Sequence, residues 1–209
     1  GQPLPDIPDD SLAPRIAKFA EFEQLAAALC RFGVEVAVAG EQLAGAPPML
    51  VEHLGGLASL TSSSGRQLVP ELVTQLGHWS ARLKAGAGHL EALRRLAETC
   101  REKASVARAA IVDRAGAWKP KAEADAEAEA LKQRFGQTYS LEEKKVRLQK
   151  RHSMNEQFKK HTEEATHALD DALAQQATVA PVMFAELCRY VAEVFGGAQG
   201  LAGEFARLA

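Results

Sequence analysis

Fifteen basic residues midway along this 209-residue chain offer the clearest chemistry in its sequence, the attraction of anions. Ten lie in one block: Arg94, Arg95, Arg101, Lys103, Arg108, Arg114, Lys119, Lys121, Lys132 and Arg134. Five follow closely: Lys144, Lys145, Arg147, Lys150 and Arg151. Arg94, Arg101 and Arg108 recur every seven residues, which sets them along one edge of a helix, and Lys144, Arg147 and Arg151 share a face. Such a surface attracts an anionic membrane by about 1 kcal/mol per well-placed cation, and salt weakens it. The competing reading is a solvated helix face laced with ion pairs.

Other reactive patterns are thin. Glu164 and His167 have the Glu-x-x-His spacing of carboxylate-bridged di-iron bundles, but those need two such pairs and further glutamates, and there is no second copy. His53, His78, His89, His152 and His161 form no ligand set, and Ser62, Ser63 and Ser64 have no His-Asp pattern nearby. Glycines follow no strand and so build no phosphate loop; Gly86, Gly88, Gly196 and Gly197 suit close helix contacts or bends. Neither an enzyme nor a metal, cofactor or nucleic-acid partner is expected. Cys30, Cys100 and Cys188 are far apart, odd in number and set among apolar residues, as reduced core thiols are.

The elements that carry these residues follow from apolar periodicity. Leu72, Leu76, Trp79, Leu83, Leu90, Leu93, Ala97, Cys100, Ala104, Ala107 and Ile111 keep a three-or-four rhythm. So do Ala165, Leu169, Ala172, Ala180, Met183, Leu187, Tyr190, Val194, Ala198, Leu201, Phe205 and Leu208. Only long helices packed on other long helices sustain such a pattern. A first helix is expected over about 12–61, weakened or kinked by Gly33, Gly40, Gly45 and Pro47-Pro48. The polar run 61–65 predicts a loop, and a second helix is expected over about 68–135, on the order of 100 Å long, bent at Pro120. Gly136 marks a turn, after which Ser140 and Glu143 form a capping box for a third helix over 141–208, bent at Pro181.

With 46% hydrophobic and 25% charged residues the chain can bury a core, and its wealth of alanine and scarcity of aromatics favour an all-α class. No apolar run approaches the roughly 20 residues that span a bilayer. Residues 1–11 read as a Pro/Asp-rich linker or chain end, not a targeting signal. The net charge of -2 conceals segregation: both ends are acidic, while 84–121 and 141–161 are basic.

The kinked first helix, the very long second and the capped turn resemble a BAR domain. The run HLEALRRLAETCREKASVARAAIVD at 89–113 is similar to that family's second helix. The closing PVMFAELCRY at 181–190, with Phe205-Ala206-Arg207-Leu208, is similar to its last segment. The resemblance covers about 19–208. It implies a long, kinked three-helix antiparallel coiled coil that dimerises into an elongated crescent, peripheral on the cytosolic face of membranes, with basic residues of helices 2 and 3 against anionic phospholipid. It also implies a homodimer interface on Phe19, Phe22, Leu29, Phe32, Leu187, Tyr190, Val194, Leu201 and Phe205. The Pro-rich acidic start lacks the amphipathic insertion helix of some relatives. The alternative is a helical scaffold for a protein partner, such as a small GTPase or a cytoskeletal or trafficking component.

Overall fold

In the computed structural model, which describes residues 3–8, 10–58, 63–133 and 140–208, apolar spacing builds three helices. These are α1 (Ala13–Ala58), α2 (Ser63–Gln133) and α3 (Leu141–Leu208), and the described residues include no strand. The class is all-α. The α1 backbone is helical through Pro47-Pro48, α2 through Pro120 and α3 through Pro181, so none of these prolines ends its helix. Of the loop expected over 61–65, Ser63, Ser64 and Gly65 belong to α2, which leaves Pro70 past the first turn, and Thr61 and Ser62 lie outside the described residues.

Local chemistry sets two of the starts. Asp10 precedes α1, where its carboxylate accepts from the Leu12 amide at 2.8 Å and its carbonyl from Ala13 at 3.1 Å. At α3 the capping box forms as expected: Glu143 N–H donates to Ser140 Oγ at 3.2 Å, and Ser140 N–H donates to Glu143 Oε2 at 3.1 Å.

The helices contribute to two compact units. One comprises Gly1–Ala26 and Cys100–Gln176. Its α2 and α3 segments run antiparallel, since Lys103 pairs with Asp171, Arg114 with Thr162 and Lys150 with Glu127. Phe19 and Phe22 of α1, with ring centroids 6.3 Å apart, are fully buried in its core, as are Ile111 and Leu169.

The second unit comprises Ala27–Thr99 and Ala177–Ala209. Every pair of its three helical segments touches. Gly33 and Gly40, expected to weaken α1, are instead where it packs closest. A Cβ on Gly33 would lie 3.3 Å from Ala97 Cβ and 3.6 Å from Met183 Cε. One on Gly40 would overlap Leu90 Cδ1 and lie 2.7 Å from the Tyr190 hydroxyl. Gly86 of α2 likewise admits the Tyr190 ring, whereas nothing lies within 4 Å of a Cβ on Gly88. Small residues at seven-residue intervals thus let the α1 backbone close onto its neighbours.

Candidate functional site

Most of the basic residues are engaged. Arg94 pairs with Glu41 at 3.2 Å, Arg95 with Glu91 at 2.8 Å and Lys103 with Asp171 at 3.1 Å. Arg108 grips Glu23 with two hydrogen bonds, one of them 2.7 Å. Those bonds hold the Glu23 carboxyl below its ordinary range despite partial burial. Lys121 and Arg151 both reach Asp125 at 2.7 Å, and Lys150 reaches Glu127 at 2.9 Å. Much of the stripe is therefore a face of ion pairs, of the kind worth 0–1 kcal/mol each when exposed. Lys132 and Arg134 lie outside the residues whose side chains are described.

Arg114 corrects the surface reading outright. It is only 3% exposed, because the rhythm 97, 100, 104, 107, 111 continues to 114 and places its side chain in the packing seam. Its guanidinium donates to both Asp10 carboxylate oxygens at 2.6 Å and to Thr162 Oγ1 at 3.1 Å. Burial pushes the Asp10 carboxyl up, but the Arg114 hydrogen bonds, the Leu12 amide and the Arg114 charge outweigh it and hold it below the usual range.

Charge remains accessible at the start of α3. Leu141, Lys145, Leu148 and His152 follow one another at intervals of four, three and four, and so share a face, with Lys144 beside them. Leu141 is 86% and Leu148 55% exposed. Together these residues line a groove that mixes cations with uncovered aliphatic surface. Arg101 and Lys119 of α2 are also exposed.

The second unit carries a feature of another kind. On α3, Met183 and Tyr190 point into the unit, while Glu186 turns toward α2, where it meets His89 Nδ1 at 2.7 Å. A second apolar series, Ala177, Pro181, Phe184, Cys188, Val191 and Phe195, runs along the opposite flank, each member exposed and none charged. Phe184 and Phe195 are each 67% exposed. On α1, Glu41 marks the flank facing α2, and the other flank carries Leu29, Phe32, Val36, Ala39, Leu43, Ala46 and Leu50, all exposed or half-buried. Because Gly33 meets Met183 and Gly40 meets Tyr190, these flanks lie side by side on the face away from α2. At 1.5 Å per residue and two helices' width, the apolar face covers roughly 600 Å². That is the upper end of the ~300–600 Å² that the largest apolar patch of a monomer covers, and it approaches the ~800 Å² each partner commits to a stable interface.

The interface residues expected from the sequence divide accordingly. Phe19 and Phe22 are wholly buried against their own chain, and Tyr190 and Val194 nearly so, which leaves little of them for a second copy. Phe32 is on the open face, Leu29 and Leu187 are half-buried beside it, and the side chains of Leu201 and Phe205 lie outside those described. Cys188 corrects the expectation of three core thiols: Cys100 is buried and Cys30 half-buried, but Cys188 is exposed on the open seam. The series containing Phe184 and Phe195 was visible as a second heptad register on α3.

Glu164 is engaged with His161 at 3.1 Å and Lys160 at 3.7 Å, and His167 is exposed. Among the described residues no three His, Cys, Asp or Glu side chains are grouped to hold a metal ion, and no helix is long and apolar enough to cross a membrane. No family model, no curated protein and no solved structure matches this chain.

Proposed function

We propose that the chain is a non-enzymatic, BAR-like module that pairs with a second copy through the open α1–α3 face and rests peripherally on the cytosolic side of an anionic membrane. The observation that carries the pairing is the uncharged double seam of α1 and α3. An apolar face of roughly 600 Å² exposed to water favours being covered, at on the order of 25 cal/mol per Å² before the entropic cost of association is set against it. The lipid reading is supported by the start of α3. Exposed leucines beside Lys144 and Lys145 suit a headgroup layer that offers anionic phosphates above an apolar interior. It is a narrower site than the fifteen-residue stripe, much of which is engaged in ion pairs.

Co-sedimentation with phosphatidylserine vesicles at low and at physiological salt tests this. The unaltered chain should bind, Lys144→Glu with Lys145→Glu should lower binding at low salt, and Leu148→Ser should lower it at both. A chain that ignores anionic vesicles at low salt refutes the lipid half. A second reading, favoured by the ion pairs of cations such as Arg94, Lys103, Arg108, Lys121, Lys150 and Arg151, is a helical scaffold whose open face seats a protein partner such as a small GTPase or a trafficking or cytoskeletal component. A chain that remains monomeric and ignores lipid favours that reading.

A further inference from the structure

Arg114 forms a buried ion pair with Asp10, the two side chains 3% and 4% exposed, and the groups around it come from two sources. The helices of its unit provide a cation–aromatic cleft. Phe158 lies 5.1 Å from the Arg114 guanidinium carbon, Trp118 packs on Phe158 at 5.5 Å, and Lys121 Nζ stands 4.9 Å from the Trp118 ring. The carboxylate that neutralises Arg114 belongs to no helix; Asp10 brings it from the segment preceding α1.

That segment, Leu4-Pro5-Asp6-Ile7-Pro8-Asp9-Asp10, is acidic and punctuated by prolines that favour an extended backbone. It is anchored at two points: Ile7, 5% exposed, and the bidentate Asp10. Elsewhere it is exposed or half-buried. An open cleft of about 270 Å³ runs past Ile7, Pro8, Asp10, Arg114, Trp118 and Phe158, and another of about 480 Å³ is lined by residues 3–6, the start of α1 and Arg108. Two buried anchors on an otherwise open, extended segment are how a bound peptide sits in a surface cleft.

We infer that the cleft of Arg114, Trp118, Lys121 and Phe158 is a peptide-binding site for an extended, proline-containing segment with an aliphatic residue three positions before a carboxylate, and that the segment carrying Ile7 and Asp10 occupies it in cis as a tethered competitor. The planar guanidinium selects a carboxylate in two-point geometry, and the aromatic wall takes the aliphatic and proline groups. Tethering presents the internal segment at millimolar effective concentration, so a partner's acidic segment enters only when the internal one is weakened.

The test uses the full chain and a fluorescein-labelled peptide of sequence LPDIPDDSLA, residues 4–13, with anisotropy as the readout. Asp10→Ala removes the internal carboxylate and leaves Arg114 free for the peptide. It is expected to bind the peptide at least tenfold more tightly than the unaltered chain. The same peptide with asparagine in place of its second consecutive aspartate should lose that gain. Ile7→Ser loosens the other anchor without touching the ion pair, should give the same order of gain, and decides the matter if Asp10→Ala does not fold. A folded variant that binds the peptide no better than the unaltered chain, or binds the asparagine peptide as well as the parent, overturns the inference.

Discussion

Replacing Gly40 by alanine measures how closely α1 must approach its neighbours. An alanine in a helix interior gains about 1 kcal/mol over glycine. At position 40, however, the added methyl would overlap Leu90 Cδ1 and lie 2.7 Å from the Tyr190 hydroxyl. Overpacking of that kind costs about 1–3 kcal/mol. Gly88→Ala is the internal control, since its exposed helical site has nothing within 4 Å of the new carbon and should show the propensity gain alone. The two variants should thus differ by the overpacking cost, which for the central value of about 2 kcal/mol is a melting-temperature gap of about 4–8 °C in a domain of this size. Thermal unfolding followed by circular dichroism reads it. Adding Leu90→Ala, which opens the space the methyl needs, should make Gly40→Ala nearly costless, a coupling of about 1 kcal/mol or more in a double-mutant cycle. Equal melting temperatures for Gly40→Ala and Gly88→Ala, with no coupling to Leu90, would refute the close-packing argument.

Three further outcomes follow from the same physics. The Tyr190 hydroxyl is buried without a hydrogen-bond partner, and that burial pushes its pKa up; Tyr190→Phe should leave stability unchanged or raise it by about 1 kcal/mol in a denaturant titration, and a loss beyond that would reveal a partner for the hydroxyl. Asp10 is held below its ordinary value of 3.8, so its contribution is complete above that pH and disappears as the pH falls through its lowered folded value. Trp118 emission in a Trp79→Phe background should accordingly stay flat from about pH 7 to 5 and change only below about 4, and an Asp10→Asn variant that keeps the same acid transition would contradict the assignment. Lys144→Glu with Lys145→Glu should weaken low-salt vesicle binding by at least about 2 kcal/mol, roughly thirtyfold, and unchanged binding would remove those lysines from any lipid surface.

Periodicity made the helices readable because apolar spacing is a property of the chain alone. So was the α3 cap, whose Ser140 and Glu143 act within one turn. The rest depended on neighbours distant in sequence. Gly33 and Gly40 look like helix breakers until Ala97, Leu90 and Tyr190 lie against them. Arg114 looks like one more surface cation, although its place three residues after Ile111 continues the seam and its partner Asp10 is 104 residues away. On α3 two apolar registers overlap, one through Met183 and Tyr190 and one through Phe184, Val191 and Phe195. Which of them the chain fills by itself is decided by the glycines of α1. The fifteen cations signalled charge correctly, but ion pairing across helices determines how much of it meets solvent.

Sedimentation equilibrium of the unaltered chain from about 1 to 100 µM bears most directly on the central claim, that the open α1–α3 face is covered by a second copy. The account predicts a mass of twice the 22.5 kDa chain, falling to 22.5 kDa when Phe184→Glu and Phe195→Glu place charge in the seam. A mass of 22.5 kDa throughout that range for the unaltered chain, or a dimer indifferent to both substitutions, would contradict it.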